Sequence, residues 1–195
     1  MRARKVKGLD PDGAFADNAR QIAGARLGEL CDLAPKALDP AKPKKLHDMR
    51  IAAKRLRYAL EISRPALGPG AADGLRTAKA LQELLGDIHD CDEMLPRVCR
   101  YAKNLRAADV EDLRRRAGRN PRDLKPELAS TAPNLDSYRG LEALASHLAA
   151  RRGVLFARFT REWGRLEARD FGPALLASIS EPQPAPRAPT DAATP

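Results

Sequence analysis

His47, Arg50, Lys54 and Arg57 recur at intervals of three and four residues, so on an α-helix they share one face. Leu46, Met49, Ala53, Leu56 and Leu60 fall on the face beside them. A solvated helix flank ordinarily mixes acids with bases, because alternating signs support each other at i,i+4. Here the row is nearly all basic, and only Glu61, one turn further on, dilutes it. Fixed cations held this close repel one another unless something negative lies among them. The chemistry these residues suit is therefore the capture of a polyanion, with Lys44 and Arg55 adding to the same run. Arg can grip two phosphate oxygens with its planar fork, whereas Lys acts as a point charge.

A second basic row, Arg151, Arg158, Arg161, Arg165 and Arg169, interrupted mainly by Val154 and Glu162, lies beside Leu141, Leu144, Leu148, Leu155, Phe159 and Leu166, which are expected in the core. One such row alone reads equally well as a solvated flank. Two rows, each beside an apolar seam, argue for a groove lined from both helices if these are neighbours. A flexible thread of phosphates suits spaced cations better than a closed pocket would. Nucleic acid would also be attracted, but the chain has only one Trp, three Tyr and four Phe. Single-strand binders interleave aromatics to stack bases, and no helix-turn-helix or RNA-recognition signature is present. Nucleic acid is thus not expected as a specific partner.

The His47-Asp48 and His89-Asp90 pairs open another possibility, since helical metal-dependent phosphohydrolases of the HD class use such residues as ligands. His47, His89, Asp90 and Asp109 would then hold the metal. Against this, the cations around His47 oppose a metal ion. The structural alternatives are that Asp90 pairs with a base of the basic helix or caps a helix end. His47 either donates to phosphate or anchors its helix by a buried hydrogen bond. No Ser/His/Asp arrangement, phosphate-binding glycine loop or Cys-His pair is visible.

The elements that position these rows are helices throughout, because strand alternation is absent and Ala, Leu, Arg and Glu dominate. Long helices are expected over about 14–37 (with Ile22, Leu27, Leu30 and Leu33 inward), 43–66, 72–116 with a bend at Pro96, and 135–169. Pro43 suits a first turn, and Gly68-Pro69-Gly70 ends the second helix. A short helix near 173–179 closes the open end. Short loops between long amphipathic helices favour an all-α, antiparallel four-helix bundle.

The length of 195 residues suits one domain. A flexible basic arm is expected over 1–13, a helical domain over 14–180, and a disordered Pro/Ala-rich tail over 181–195. Residues 1–67 hold 15 Lys/Arg against 8 Asp/Glu, residues 68–116 hold 9 against 9, and residues 117–195 hold 11 against 9. Basicity therefore concentrates in the first third, which points to an anionic partner. Cys31, Cys91 and Cys99 are three in number and lack metal-ligand spacing, which reads as reduced thiols in the cytoplasm. No apolar run reaches the roughly 20 residues that span a bilayer. The basic start lacks the apolar stretch of a signal peptide.

The run Leu46-His47-Asp48-Met49-Arg50-Ile51-Ala52-Ala53-Lys54-Arg55-Leu56-Arg57-Tyr58-Ala59-Leu60-Glu61 resembles the helix that names the CHAD domain, the conserved histidine α-helical domain. Leu81-Gln82-Glu83-Leu84-Leu85-Gly86-Asp87-Ile88-His89-Asp90 is similar to a second signature of that family, in the right order. A weaker echo of the closing helix runs from Arg151-Arg152 to Trp163, so that the resemblance covers roughly 15–180. The resemblance implies a helical module that binds inorganic polyphosphate through Lys44, His47, Arg50, Lys54, Arg55 and Arg57, with Arg151, Arg158, Arg161 and Arg165 as a second set. No covalent chemistry, cofactor or metal is implied. An adaptor that docks an acidic protein is a third reading. Family members carry two related bundles, whereas this chain has one good motif copy, so a homodimer is expected. The expected setting is the cytoplasm, at polyphosphate granules, and not a membrane.

Overall fold

A computed structural model describes residues 2–120, 122 and 124–180 of the chain. Among the described residues the protein is helical and has no strand. The helices are α1 (Phe15–Ala37), α2 (Pro43–Ile62), α3 (Arg64–Leu67), α4 (Ala71–Ala117), α5 (Pro126–Ala129), α6 (Leu135–Ala168) and α7 (Phe171–Ser180). The expected tail over 181–195 lies outside the described residues. Cys31, Cys91 and Cys99 are all free thiols.

Proline and glycine set most of the boundaries. Pro43 opens α2 at a position where its missing N–H costs nothing. The helix expected over 43–66 is divided at Ser63, because Pro65 cannot donate to the carbonyl of Glu61 and the ladder breaks there. Gly68 ends α3 with φ +69°, a conformation that side-chain-bearing residues rarely adopt. α4 is helical on both sides of Pro96 and through it, so that one missing hydrogen bond is tolerated inside a long ladder. α5, in the connection before α6, was not anticipated; it begins at Pro126.

The described residues divide into two compact units, 2–83 together with 161–180, and those within 84–160. In the first unit α1 packs along α2, and α3 and α7 also lie against α1. The buried seam of α2 is Leu46, Met49, Ala52, Ala53, Leu56 and Leu60, which meets Ala19, Ala23, Leu27 and Leu30 of α1. Ile22 and Leu33, expected inward, are only half-buried. Alanines on both helices shorten their separation, which suits close ridge-into-groove packing. Phe171, Leu175 and Ile179 bury one face of α7, and a Cβ at Gly70 would collide with the carbonyl of Ser178.

The amino-terminal segment, expected as a free arm, is tied to α1 at both ends. Asp10 N donates to Asn18 Oδ1 at 3.0 Å, and Asn18 Nδ2 donates to the Asp10 carbonyl at 2.6 Å. Arg4 N donates to Glu29 Oε1, Arg4 Nη2 pairs with Asp32 at 2.6 Å, and Arg26 Nη1 donates to the Arg4 carbonyl at 3.0 Å. The segment therefore runs antiparallel to α1 as a strap.

In the second unit the parts of α4 and α6 that belong to it form an antiparallel pair. Arg151 meets Asp87 at 3.2 Å and Arg152 meets Asp92 at 2.7 Å, while Arg106 pairs with Glu142. Asp109 accepts from Asn134 Nδ2 at 2.7 Å, just before α6 begins. The leucine seam of α6 is less covered than its periodicity suggests: Leu144 is 42% exposed, and Leu141, Leu148 and Leu155 are half-buried. Two helices share one interface, so an apolar seam wider than that interface stays partly open. Phe159 and, in the first unit, Leu166 are buried as expected.

Candidate polyanion-binding site

Along α2 successive residues turn by about 100°. Its outward face runs from Arg57 and Arg50 at one edge, through Lys54, His47, Tyr58 and Lys44, to Arg55 at the other. The apolar seam on the opposite side fixes this face, since Met49, Ala52, Ala53, Leu56 and Leu60 have no measurable exposure. Burial of the seam and presentation of the cations are therefore one event.

The cations differ in what already holds them. Lys44 and Arg50 have no carboxylate partner among the described residues. Lys54 lies 5.6 Å from the centroid of the Tyr58 ring, and Arg57 lies 4.5 Å from the same centroid. Tyr58, 43% exposed, thus carries two cations over one ring. The Arg57 guanidinium also has Glu61 at 4.0 Å, the outer limit of an ion pair. His47 is half-buried within the row. Lys45, between Lys44 and His47, pairs with Asp48 at 3.6 Å.

Arg55 belongs to the run in sequence but leaves the row in space. It is about 200° around the helix from Arg57 and approaches Glu29 of α1 at 3.9 Å. Glu29 is only 2% exposed. A carboxylate can be buried this deeply when donors surround it. The Arg4 N–H donates to one oxygen, and the guanidinium groups of Arg26 at 2.9 Å and Arg55 at 3.9 Å balance the charge. Glu29, Arg26 and Arg4 were not singled out from the sequence. A glutamate three residues after an arginine on a helix is common, and only tertiary packing makes this one a shared anchor. The available signal was the position of Glu29 between Leu27 and Leu30, both on the inward side of α1.

The second basic row is more heavily paired. Arg151 is held by Asp87, and Arg165 by Glu162 at 2.8 Å. Arg158 and Arg161 are exposed and have no carboxylate partner among the described residues. Arg151 and Arg158 belong to the second unit, and Arg161 and Arg165 to the first.

The residues proposed for a metal site are dispersed in role. Asp109 is 4% exposed and committed to Asn134. Asp90 is exposed and has no ion pair among the described residues, so it is not a buried acid anchoring a basic helix. No group of three or more His, Cys, Asp or Glu side chains comes together among the described residues.

No curated protein and no solved structure matches the chain. A family model does match. It spans residues 3–99, taking in the strap, α1, α2 and the start of α4, and stopping short of the α6 echo that had extended the resemblance to about residue 180. Through residues 3–99 the chain belongs to the CHAD domain family.

Proposed function

We propose that the protein is a non-catalytic module that binds inorganic polyphosphate on the outward face of α2. The observation that carries this reading is the set of cations on that face without local acids. Lys44, Arg50 and Lys54 have no carboxylate partner among the described residues, and Arg57 has one only at 4.0 Å. Such a surface gains free energy when an anion arrives, because repulsion among the cations is relieved. Membership of the CHAD family, a family of polyphosphate-binding helical domains, supports polyphosphate as that anion.

The aromatic content supports the same choice over nucleic acid. Tyr58, the one aromatic ring of the signature helix, is already flanked by Lys54 and Arg57 and offers little free face for a base. His47 and Arg55 extend the phosphate contacts along the helix. Arg158 and Arg161, free of acids among the described residues, are the stronger members of the second set, with Arg151 and Arg165 available by exchange of exposed ion pairs.

The finer architecture belongs to the same proposal. The long helices form an antiparallel bundle, two chains form a homodimer, and the protein works in the cytoplasm at polyphosphate granules without cofactor or metal. No helix among the described residues is long and apolar enough to cross a membrane. An HD-type phosphohydrolase would instead carry stoichiometric metal, read by elemental analysis, and an adaptor for an acidic protein would bind long polyphosphate no better than orthophosphate.

A titration compares polyphosphate, orthophosphate, single-stranded DNA and RNA at several salt concentrations. Long polyphosphate should bind best, with log K falling against log salt at about −0.7 per neutralised charge, hence a slope of roughly −3 to −4 for four to six cations engaged. Equal binding of orthophosphate and long chains, or an affinity insensitive to salt, contradicts the proposal.

A further inference from the structure

The strap carries cations that its fastening does not use. About 17 Å of helix rise separates Asn18 from Glu29, and the six steps from Arg4 to Asp10 span about 20 Å when extended. The strap is therefore drawn out along α1, with a turn at Gly8, where φ is +75°. Arg4 is committed to Asp32, whose hydrogen bond holds the guanidinium pKa above its ordinary value. Val6 is half-buried, whereas Lys5 and Lys7 are exposed. Neither lysine has a carboxylate partner among the described residues. A strap that only fastened α1 would be better served by neutral residues at these positions, since the lysines add repulsion.

The head of the strap also adjoins the outward face of α2. The Arg4 N–H and the Arg55 guanidinium approach the two oxygens of the same carboxylate, Glu29. The basic surface of α2 thus continues at its Arg55 edge onto the strap, within the same unit. We infer that the polyanion bound by α2 crosses the helix at Arg55 and runs onto the strap, where Lys5 and Lys7 hold its further phosphates. This rests on the proposed polyanion-binding function and adds a path and two residues to it.

The test uses the full chain, long-chain inorganic polyphosphate and the Lys5→Ser/Lys7→Ser variant. Removing two cations should weaken binding roughly 10–30-fold at 0.1 M salt and reduce the salt slope by about 1.4, with an unchanged melting temperature. Lys103→Ser/Lys125→Ser removes the same charge elsewhere and should bind like the parent protein. In the parent protein, polyphosphate should slow acetylation of Lys5 and Lys7, read by mass spectrometry, which serves even if the strap variant is unstable. Parent-like binding by the strap variant, equal weakening of both variants, or unprotected Lys5 and Lys7 in the bound complex overturns the path while leaving the function intact. Failure of the parent protein to bind polyphosphate at all refutes the function, and the path with it.

Discussion

Tyr58 shows how a single residue can tune a charged surface. Lys54 and Arg57 both rest on its ring, which restricts two long side chains that would otherwise lose rotamer freedom on meeting a ligand. An exposed cation–π interaction is worth about 0.5–1 kcal/mol. Tyr58→Leu should therefore weaken polyphosphate binding about 2–5-fold for each of the two cations that leaves the ring. Tyr58→Phe, which keeps the ring, should retain affinity in the same calorimetric titration. Equal weakening by both variants would place the effect in the hydroxyl instead. At this scale the basic row was legible because periodicity alone places His47, Arg50, Lys54 and Arg57 together. Arg55 stands at the far edge of that face beside Glu29, because adjacency in the sequence says nothing about a buried acid on another helix. Glu29 became visible only once Arg4, Arg26 and Arg55 converged on it.

At the scale of elements, α2 has one face that stabilises and one that is available for binding. Leu56 is fully buried, and Leu56→Ala should cost roughly 2–5 kcal/mol in chemical denaturation, with polyphosphate affinity of the folded fraction unchanged. The start of α4 makes a different demand. Gly70 lies against the backbone of Ser178, and the Ser178 hydroxyl donates to the Gly70 carbonyl at 3.2 Å. A methyl group there meets a carbonyl that has no rotamer by which to move aside. Gly70→Ala should destabilise the protein by about 1–3 kcal/mol, as overpacking does, and a thermal melt that matches the parent would refute this docking of α7. The starts of α1, α2 and α6 were readable from apolar periodicity and from Pro43. The division at Ser63 and the short α5 were not, since a proline can end, kink or start a helix depending on which carbonyl it leaves unpaired. Pro65 and Pro96 show both outcomes in one chain.

For the whole molecule, the uneven charge of the sequence corresponds to a division of labour. The first unit carries α2 and the strap, and with them most of the net positive charge, while the family match is confined to residues 3–99. The leucines of α6 were expected in a core and prove half-open in the second unit, because periodicity reports a helix face but not how many neighbours cover it. A homodimer, the commonest closed assembly, is the expected state, and light scattering that gives a monomer both with and without polyphosphate would contradict it.

The most direct measurement of the central claim is polyphosphate binding by the Arg50→Glu/Arg57→Glu variant, followed together with its melting temperature. Arg50 lacks a carboxylate partner among the described residues, and Arg57 has only the distant Glu61. Their replacement should cost about 0.5–1.5 kcal/mol of stability, since both side chains are half-buried and Arg57 leaves the Tyr58 ring, and the variant should stay folded. Binding should nevertheless be abolished, since two attractive charges become repulsive. A variant that folds and binds polyphosphate as tightly as the parent would show the basic face of α2 to be only a solvated flank.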